Sequence, residues 1–153
     1  MEPLRVLELY SGIGGMHHAL RESGIPAHVV AAVDVNTVAN EVYKHNFPHT
    51  HLLAKTIEGI SVEEFDKLSF NMILMSPPCQ PFTRYLLIQT IEACGFQHQE
   101  FLLSPSSLGV PNSRLRYFLI AKRQSEPFPF QASGQVVLLL LLLLFTCEWI
   151  SVC

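Results

Sequence analysis

Phe70-Asn71-Met72-Ile73-Leu74-Met75 runs directly into Ser76-Pro77-Pro78-Cys79-Gln80-Pro81-Phe82-Thr83. The first six residues form a largely apolar run, which predicts a buried parallel strand. Pro-Pro must end it, because proline donates no ladder hydrogen bond and fixes φ. The turn therefore presents Cys79 at the carboxyl end of a strand, where open α/β sheets build their sites. A cysteine held there can act as a nucleophile once its pKa is lowered. The alternative is a loop cysteine without a role; the flanking prolines and the preceding strand favour the nucleophile.

Upstream of this stretch, strand and helix signals alternate. Leu4 to Tyr10 is a short apolar run closed by Ser-Gly, a strand and a tight turn. Gly14 to Ser23 has helical spacing through Met16, Ala19 and Leu20, with Gly24 able to cap its end. His28 to Val33 predicts a second strand ending at Asp34, and Asn36 can cap a helix through Tyr43. Leu52-Leu53 suits a short third strand, and Ser61 with Glu64 forms a capping box for a helix to about Leu68. The order βαβαβαβ predicts a doubly wound parallel sheet.

Downstream, Leu86 to Cys94 has helical spacing, Phe101 to Leu103 suits a strand, and Leu115 to Ala121 predicts another. Val136 to Phe145 is an unbroken apolar run with seven consecutive leucines. It is shorter than the roughly 20 residues that span a bilayer, so a membrane anchor is not expected. It also lacks an amphipathic period. Residues 1–133 are expected to form the domain and 134–153 an apolar tail outside the fold.

The 153 residues suit one domain, and 49% apolar with 15% charged residues excludes a disordered chain. A net charge of −3 gives no general basic footprint, so a nucleic-acid contact needs a local patch. Cys79, Cys94, Cys147 and Cys153 form no CxxC pair and no zinc spacing. With no disulfide framework and no signal peptide, a reducing compartment is expected, and no metal.

Tyr10-Ser11-Gly12-Ile13-Gly14-Gly15 joins the first strand to the first helix. Glycines there let the backbone turn tightly and approach a ligand, with helix amides aimed at it. Asp34 ends the second strand about 20 residues later, where an acid receives ribose hydroxyls. Otherwise it merely caps the next helix. The third glycine of the G-x-G-x-x-G pattern is absent, which favours an adenosyl ligand over NAD.

The glycine turn, the acid after strand two, Asn46-Phe47-Pro48 and the Ser-Pro-Pro-Cys-Gln-Pro-Phe loop together resemble the cytosine-5 methyltransferases. Pro111-Asn112-Ser113-Arg114-Leu115-Arg116-Tyr117-Phe118 resembles that family's Gln-x-Arg-x-Arg segment, with Asn112 in place of Gln. The match is closest to the tRNA-directed branch; it is close across residues 1 to 84 and continues to about 131. The resemblance implies a Rossmann-like fold using S-adenosyl-L-methionine, with tRNA rather than DNA as substrate, in the cytoplasm or also the nucleus. It implies that Tyr10, Ser11, Gly12, Ile13, Gly14 and Gly15 hold the cofactor. Asp34 and Val35 would meet its ribose and adenine, and Ile57, Glu58 and Ser76 its adenine and methionine parts. Cys79 would attack C6 of a flipped cytosine, making C5 nucleophilic. Arg116 would reach the cytosine carbonyl, with Arg114 in support; both arginines could instead sit on a solvated strand edge.

The chain departs from the family pattern in one place above all. The Glu-Asn-Val motif, whose Glu engages cytosine N3, is absent, and Arg84 is joined directly to Tyr85. A helix and a central strand are thus missing, as are the target-recognition region and the returning C-terminal segment. This is the pattern of a spliced or gene-model fragment, and it predicts impaired catalysis. A noncatalytic chain that binds cofactor or RNA weakly, or modulates a full-length partner, is the alternative. Losing a central strand strands backbone groups on its neighbours. Direct pairing of the fourth strand with Leu115 to Ala121 would remove that cost.

Overall fold

The computed structural model describes residues 3–77 and 81–123. Its strands are β1 (Leu4–Leu9), β2 (Ala27–Val33), β3 (Leu52–Leu53), β4 (Met72–Met75), β5 (Gln97–Leu103) and β6 (Arg116–Lys122). They form one sheet in the order β3-β2-β1-β4-β6-β5. The helices are α1 (Gly15–Glu22), α2 (Thr37–Asn46), α3 (Val62–Leu68) and α4 (Pro81–Ala93).

The first four strands are mutually parallel, as the alternating pattern predicts. The central three, β1, β2 and β4, are buried on both faces over most of their length, while β3 at the sheet edge is half-buried. Val6, Val29, Met72 and Leu74 pack with Met16, Ala19 and Leu20 of α1. On the opposite face, Leu7, Leu9, Val33, Ile73 and Met75 pack with Phe65 of α3 and Leu87, Ile88 and Ile91 of α4. Two layers of helices thus cover a central sheet, the doubly wound Rossmann-like arrangement.

Local signals fix the helix starts. The Asn36 side chain accepts from the Val38 and Ala39 amides at the head of α2. Ser61 and Glu64 exchange both bonds of the capping box at α3. At the other end of α3, Arg5 donates to the carbonyls of Leu68 and Ser69, tying the helix to β1.

The second half differs from the simple parallel expectation. β6 runs antiparallel to β4, from Met72↔Lys122 to Met75↔Leu119. β5 then pairs antiparallel with β6 along seven positions. The sheet is therefore mixed, and no central gap remains: β4 and β6 satisfy each other's ladder groups where a missing strand would leave them orphaned. β5 is longer than its apolar core Phe101–Leu103 suggests. Its polar start, Gln97 to Glu100, is held by β6, with the Tyr117 hydroxyl donating to Glu100 Oε2 over 2.8 Å. The leucine run and the proposed boundary near residue 133 lie outside the described residues. Among the described residues no helix is long and apolar enough to cross a membrane.

Candidate functional site

Parallel strands end together. Leu9 lies level with Val33 and with Met75, and Val33 with Leu53. The segments that follow them, Tyr10–Gly15, Asp34–Val35, the 3₁₀ turn Ile57–Gly59 and Ser76, therefore share one edge of the sheet. Because β6 is antiparallel and Leu119 faces Met75, its first residue, Arg116, opens at that same edge. The sequence-predicted residues that the structure describes are thus gathered on one rim. Cys79 lies outside the described residues. Arg114 and Arg116 are exposed, and Arg116 Nη1 donates to the neighbouring Leu115 carbonyl at 3.3 Å.

The glycine turn is built from unusual backbone. Tyr10, Gly12 and Gly14 have φ of 54°, 52° and 94°. Ser11 N–H donates to the Val33 carbonyl and Gly14 N–H to the Ser11 carbonyl. Gly12 N–H donates to Asp34 Oδ2 at 2.8 Å, and Asn36 N–H to Asp34 Oδ1 at 2.8 Å. Asp34 thus joins the two loops that end β1 and β2, while the cap of α2 is Asn36. Among the described residues, a Cβ on Gly12 would meet nothing within 4 Å, so they leave open space over the turn. A Cβ on Gly14 would come within 2.6 Å of Phe47 Cε2, so the turn is seated directly on an aromatic floor.

Ser11 is buried, and its hydroxyl has no hydrogen-bond partner among the described residues. Val35 stands 60% exposed beside the turn, where an apolar ring could cover it. Burial first, then the Glu58 carboxylate, push the Tyr10 phenol upward, which places Tyr10 and Glu58 in one electrostatic neighbourhood. The set fits an adenosyl ligand. Asp34 keeps spare lone pairs for hydroxyl donors, Ser11 offers an unused hydroxyl, and the α1 amide end favours an anionic group.

Sequence reasoning missed what lies beneath the turn. Glu8, buried to 1% exposure, accepts from Tyr43 Oη at 2.7 Å and from the His17 amide at 3.3 Å. His17 Nδ1 meets Tyr43 Oη at 2.8 Å, and its ring stacks on Phe47 at 3.7 Å. Burial raises the Glu8 carboxyl to about 8; the Tyr43 and His17 bonds oppose this and the Asp34 charge adds to it. Burial lowers His17 to about 4, helped by neighbouring His18, Arg21 and His28. The available signal was a lone acid amid apolar strand residues, since such a group is rarely buried without partners. Among the described residues no group of side chains could hold a metal ion.

Fold and rim together define a doubly wound α/β domain with a candidate ligand site at the carboxyl edge of its parallel strands. Residues 4–85 match the family described as C-5 cytosine-specific DNA methylase, and the chain belongs to that family. It is 68% identical to a Mus musculus protein named tRNA (cytosine(38)-C(5))-methyltransferase, over 90% of this chain and 44% of that protein. A Homo sapiens protein of the same name is 64% identical, over 90% of this chain and 47% of its own length. A Spodoptera frugiperda DNMT2 crystal structure superposes with a TM-score of 0.68 at 38% identity, covering 86% of this chain and 53% of that one. The S. pombe Dnmt2 methyltransferase gives 0.66 at 28%, covering 83% and 52%. The chain spans about half the length of these relatives. The mouse alignment runs over 184 positions but uses 90% of 153 residues, about 138, so about 46 positions face gaps in this chain.

Proposed function

We propose that this chain carries the S-adenosyl-L-methionine-binding half of a tRNA cytosine-5 methyltransferase and that its turnover is impaired. The observation that carries the cofactor reading is the turn itself: positive-φ glycines, an open face at Gly12, and Asp34 tied to the Gly12 amide. In this reading Tyr10 to Gly15 and Ser76 hold the methionine part. Asp34 receives the ribose, and Val35, Ile57 and Glu58 border the adenine. When bound, the cofactor supplies the methyl group. Cys79 is the nucleophile toward cytosine C6, and Arg114 and Arg116 stand on the rim for the base or its phosphates. The tRNA assignment rests on the named relatives.

A second reading is a noncatalytic chain that retains weak cofactor or RNA binding or modulates a full-length partner. The observation favouring it is the β4–β6 pairing, which occupies the place of the strand expected to precede the missing Glu. Labelled methyl transfer to tRNA by the purified chain, beside a full-length relative, separates the two. Multiple turnover abolished by Cys79→Ala supports the enzyme; cofactor binding without transfer supports the second reading.

A further inference from the structure

The chain of Glu8, Tyr43 and His17 touches the glycine turn from below at two points. First, the N-cap position of α1 is Gly14, which has no side chain to cap the helix. Glu8 Oε1, from the middle of β1, takes the free amide of His17 in the first turn instead. Second, Gly14 rests on the rings of Tyr43 and Phe47, so closely that a Cβ would fall 3.1 Å from Tyr43 Cδ2. Tyr43 is fully buried, and its hydroxyl meets Glu8 Oε2 and His17 Nδ1, with the uncharged Thr50 side chain also in hydrogen-bond contact.

The bonds between the three groups can run in either of two directions. With Glu8 ionised, His17 Nδ1–H donates to Tyr43 and Tyr43 donates to Glu8. With Glu8 protonated, Oε2–H donates to Tyr43 and Tyr43 donates to His17 Nδ1. Both directions keep the Glu8–Tyr43 and Tyr43–His17 bonds, but only the second leaves no charge in a water-free place. Charged or titratable neighbours are Asp34 across the turn, His18 and Arg21 on α1, and His28 on β2.

We propose that Glu8, Tyr43 and His17 are positioning residues for the cofactor turn, and that the proton held by Glu8 sets how firmly the turn stays closed. This rests on the cofactor reading above for its consequence, weaker ligand binding when the turn opens. The seating of the turn itself is a property of the free chain.

Opening the turn admits water to Glu8 and returns its carboxyl to the ordinary range. The opening equilibrium therefore rises with pH, by up to about tenfold per unit, and levels off where the closed-state carboxyl itself ionises, near pH 8. Hydrogen exchange on the 153-residue chain, corrected for the intrinsic pH dependence of exchange, reads this at the amides of Ser11 to His17. In the wild type, opening should climb from pH 6 to 8 and flatten above. In Glu8→Gln, which keeps the shape but cannot ionise, it should be flat throughout. In Tyr43→Phe, which keeps the ring against Gly14 but removes a bond that favours the carboxylate, the plateau should move to higher pH. A flat wild-type profile, a slope that survives in Glu8→Gln, or an unmoved plateau in Tyr43→Phe overturns the proposal. A variant that merely weakens the fold would raise exchange equally at β2 and α3.

S-adenosylhomocysteine, stable at alkaline pH, is the calorimetric probe. Its affinity should fall between pH 6 and 8 in the wild type and not in Glu8→Gln. Constant wild-type affinity across that range overturns the link to ligand binding. No binding at any pH, with the exchange profiles as expected, overturns the cofactor reading while supporting the seated turn.

Discussion

The amide of Gly12 donates to the carboxylate of Asp34 over 2.8 Å, across 22 residues of sequence. That bond fixes the β1 turn against the end of β2, so one carboxylate sets both the shape of the loop and the ribose-facing edge of the proposed pocket. A role in structure and a role in binding therefore coincide in Asp34.

Asp34→Ala should weaken S-adenosyl-L-methionine binding by about 10- to 100-fold, the range for hydrogen bonds to a charged group. Asp34→Asn, which keeps one acceptor oxygen, should lose less. Titration calorimetry checks both, and unchanged affinity in Asp34→Ala would remove the ribose role.

Gly14→Ala should destabilise the chain by about 2 kcal/mol or more. It combines a left-handed backbone with overpacking against an aromatic floor. The geometry behind this is φ of 94° and a 2.6 Å approach to Phe47. Gly12→Ala shares the positive φ but has open space, so it should cost less. Urea midpoints of the two variants give the comparison.

Stability should fall as pH rises from about 4.5 to about 8. Glu8 sits near 8 in the folded chain against an ordinary 4.5, so the fold retains a proton that the unfolded chain releases in this window. Below the window both states are protonated; above it the penalty is constant. Glu8→Gln should remove the slope, which denaturation at pH 5 and pH 8.5 would reveal.

Methyl transfer to tRNA should be reduced by at least about 10²–10⁴-fold relative to a full-length relative, the usual contribution of a missing general acid. Robust multiple turnover lost in Cys79→Ala would show that the Glu-Asn-Val motif is dispensable.

Ending the chain at Ser133 should raise its solubility. Val136 to Phe145 carries no charge, proline or polar period, the signature of an aggregation-prone run. Equal solubility of both lengths would refute this. Carbonate-resistant membrane recovery of the full chain alone would instead indicate an anchor.

The elements best read from sequence are those governed by neighbours in the chain. Asn36 and the Ser61–Glu64 box carry their partners within three residues, so their caps were legible. The parallel half of the sheet followed from short apolar runs closed by turn residues. The start of β5 was not legible, because Gln97 to Glu100 is polar and its strand character comes from β6. The antiparallel β4–β6 ladder could be written down only as a remedy for a missing strand. Within the site, the glycine turn and Asp34 stood out by spacing. Glu8 did not, because its meaning needs three elements to meet: β1, α1 and α2.

The β4–β6 ladder also bears on rescue by a partner. Both edges of β6 are engaged, one by β4 and the other by β5. A peptide supplying the lost strand in trans, or a full-length copy lending its own, would find no vacant slot. It would first have to unzip the four-position ladder from Met72 to Met75. Complementation is thus a strand-exchange problem, governed by the lifetime of that ladder rather than by the affinity of a free edge.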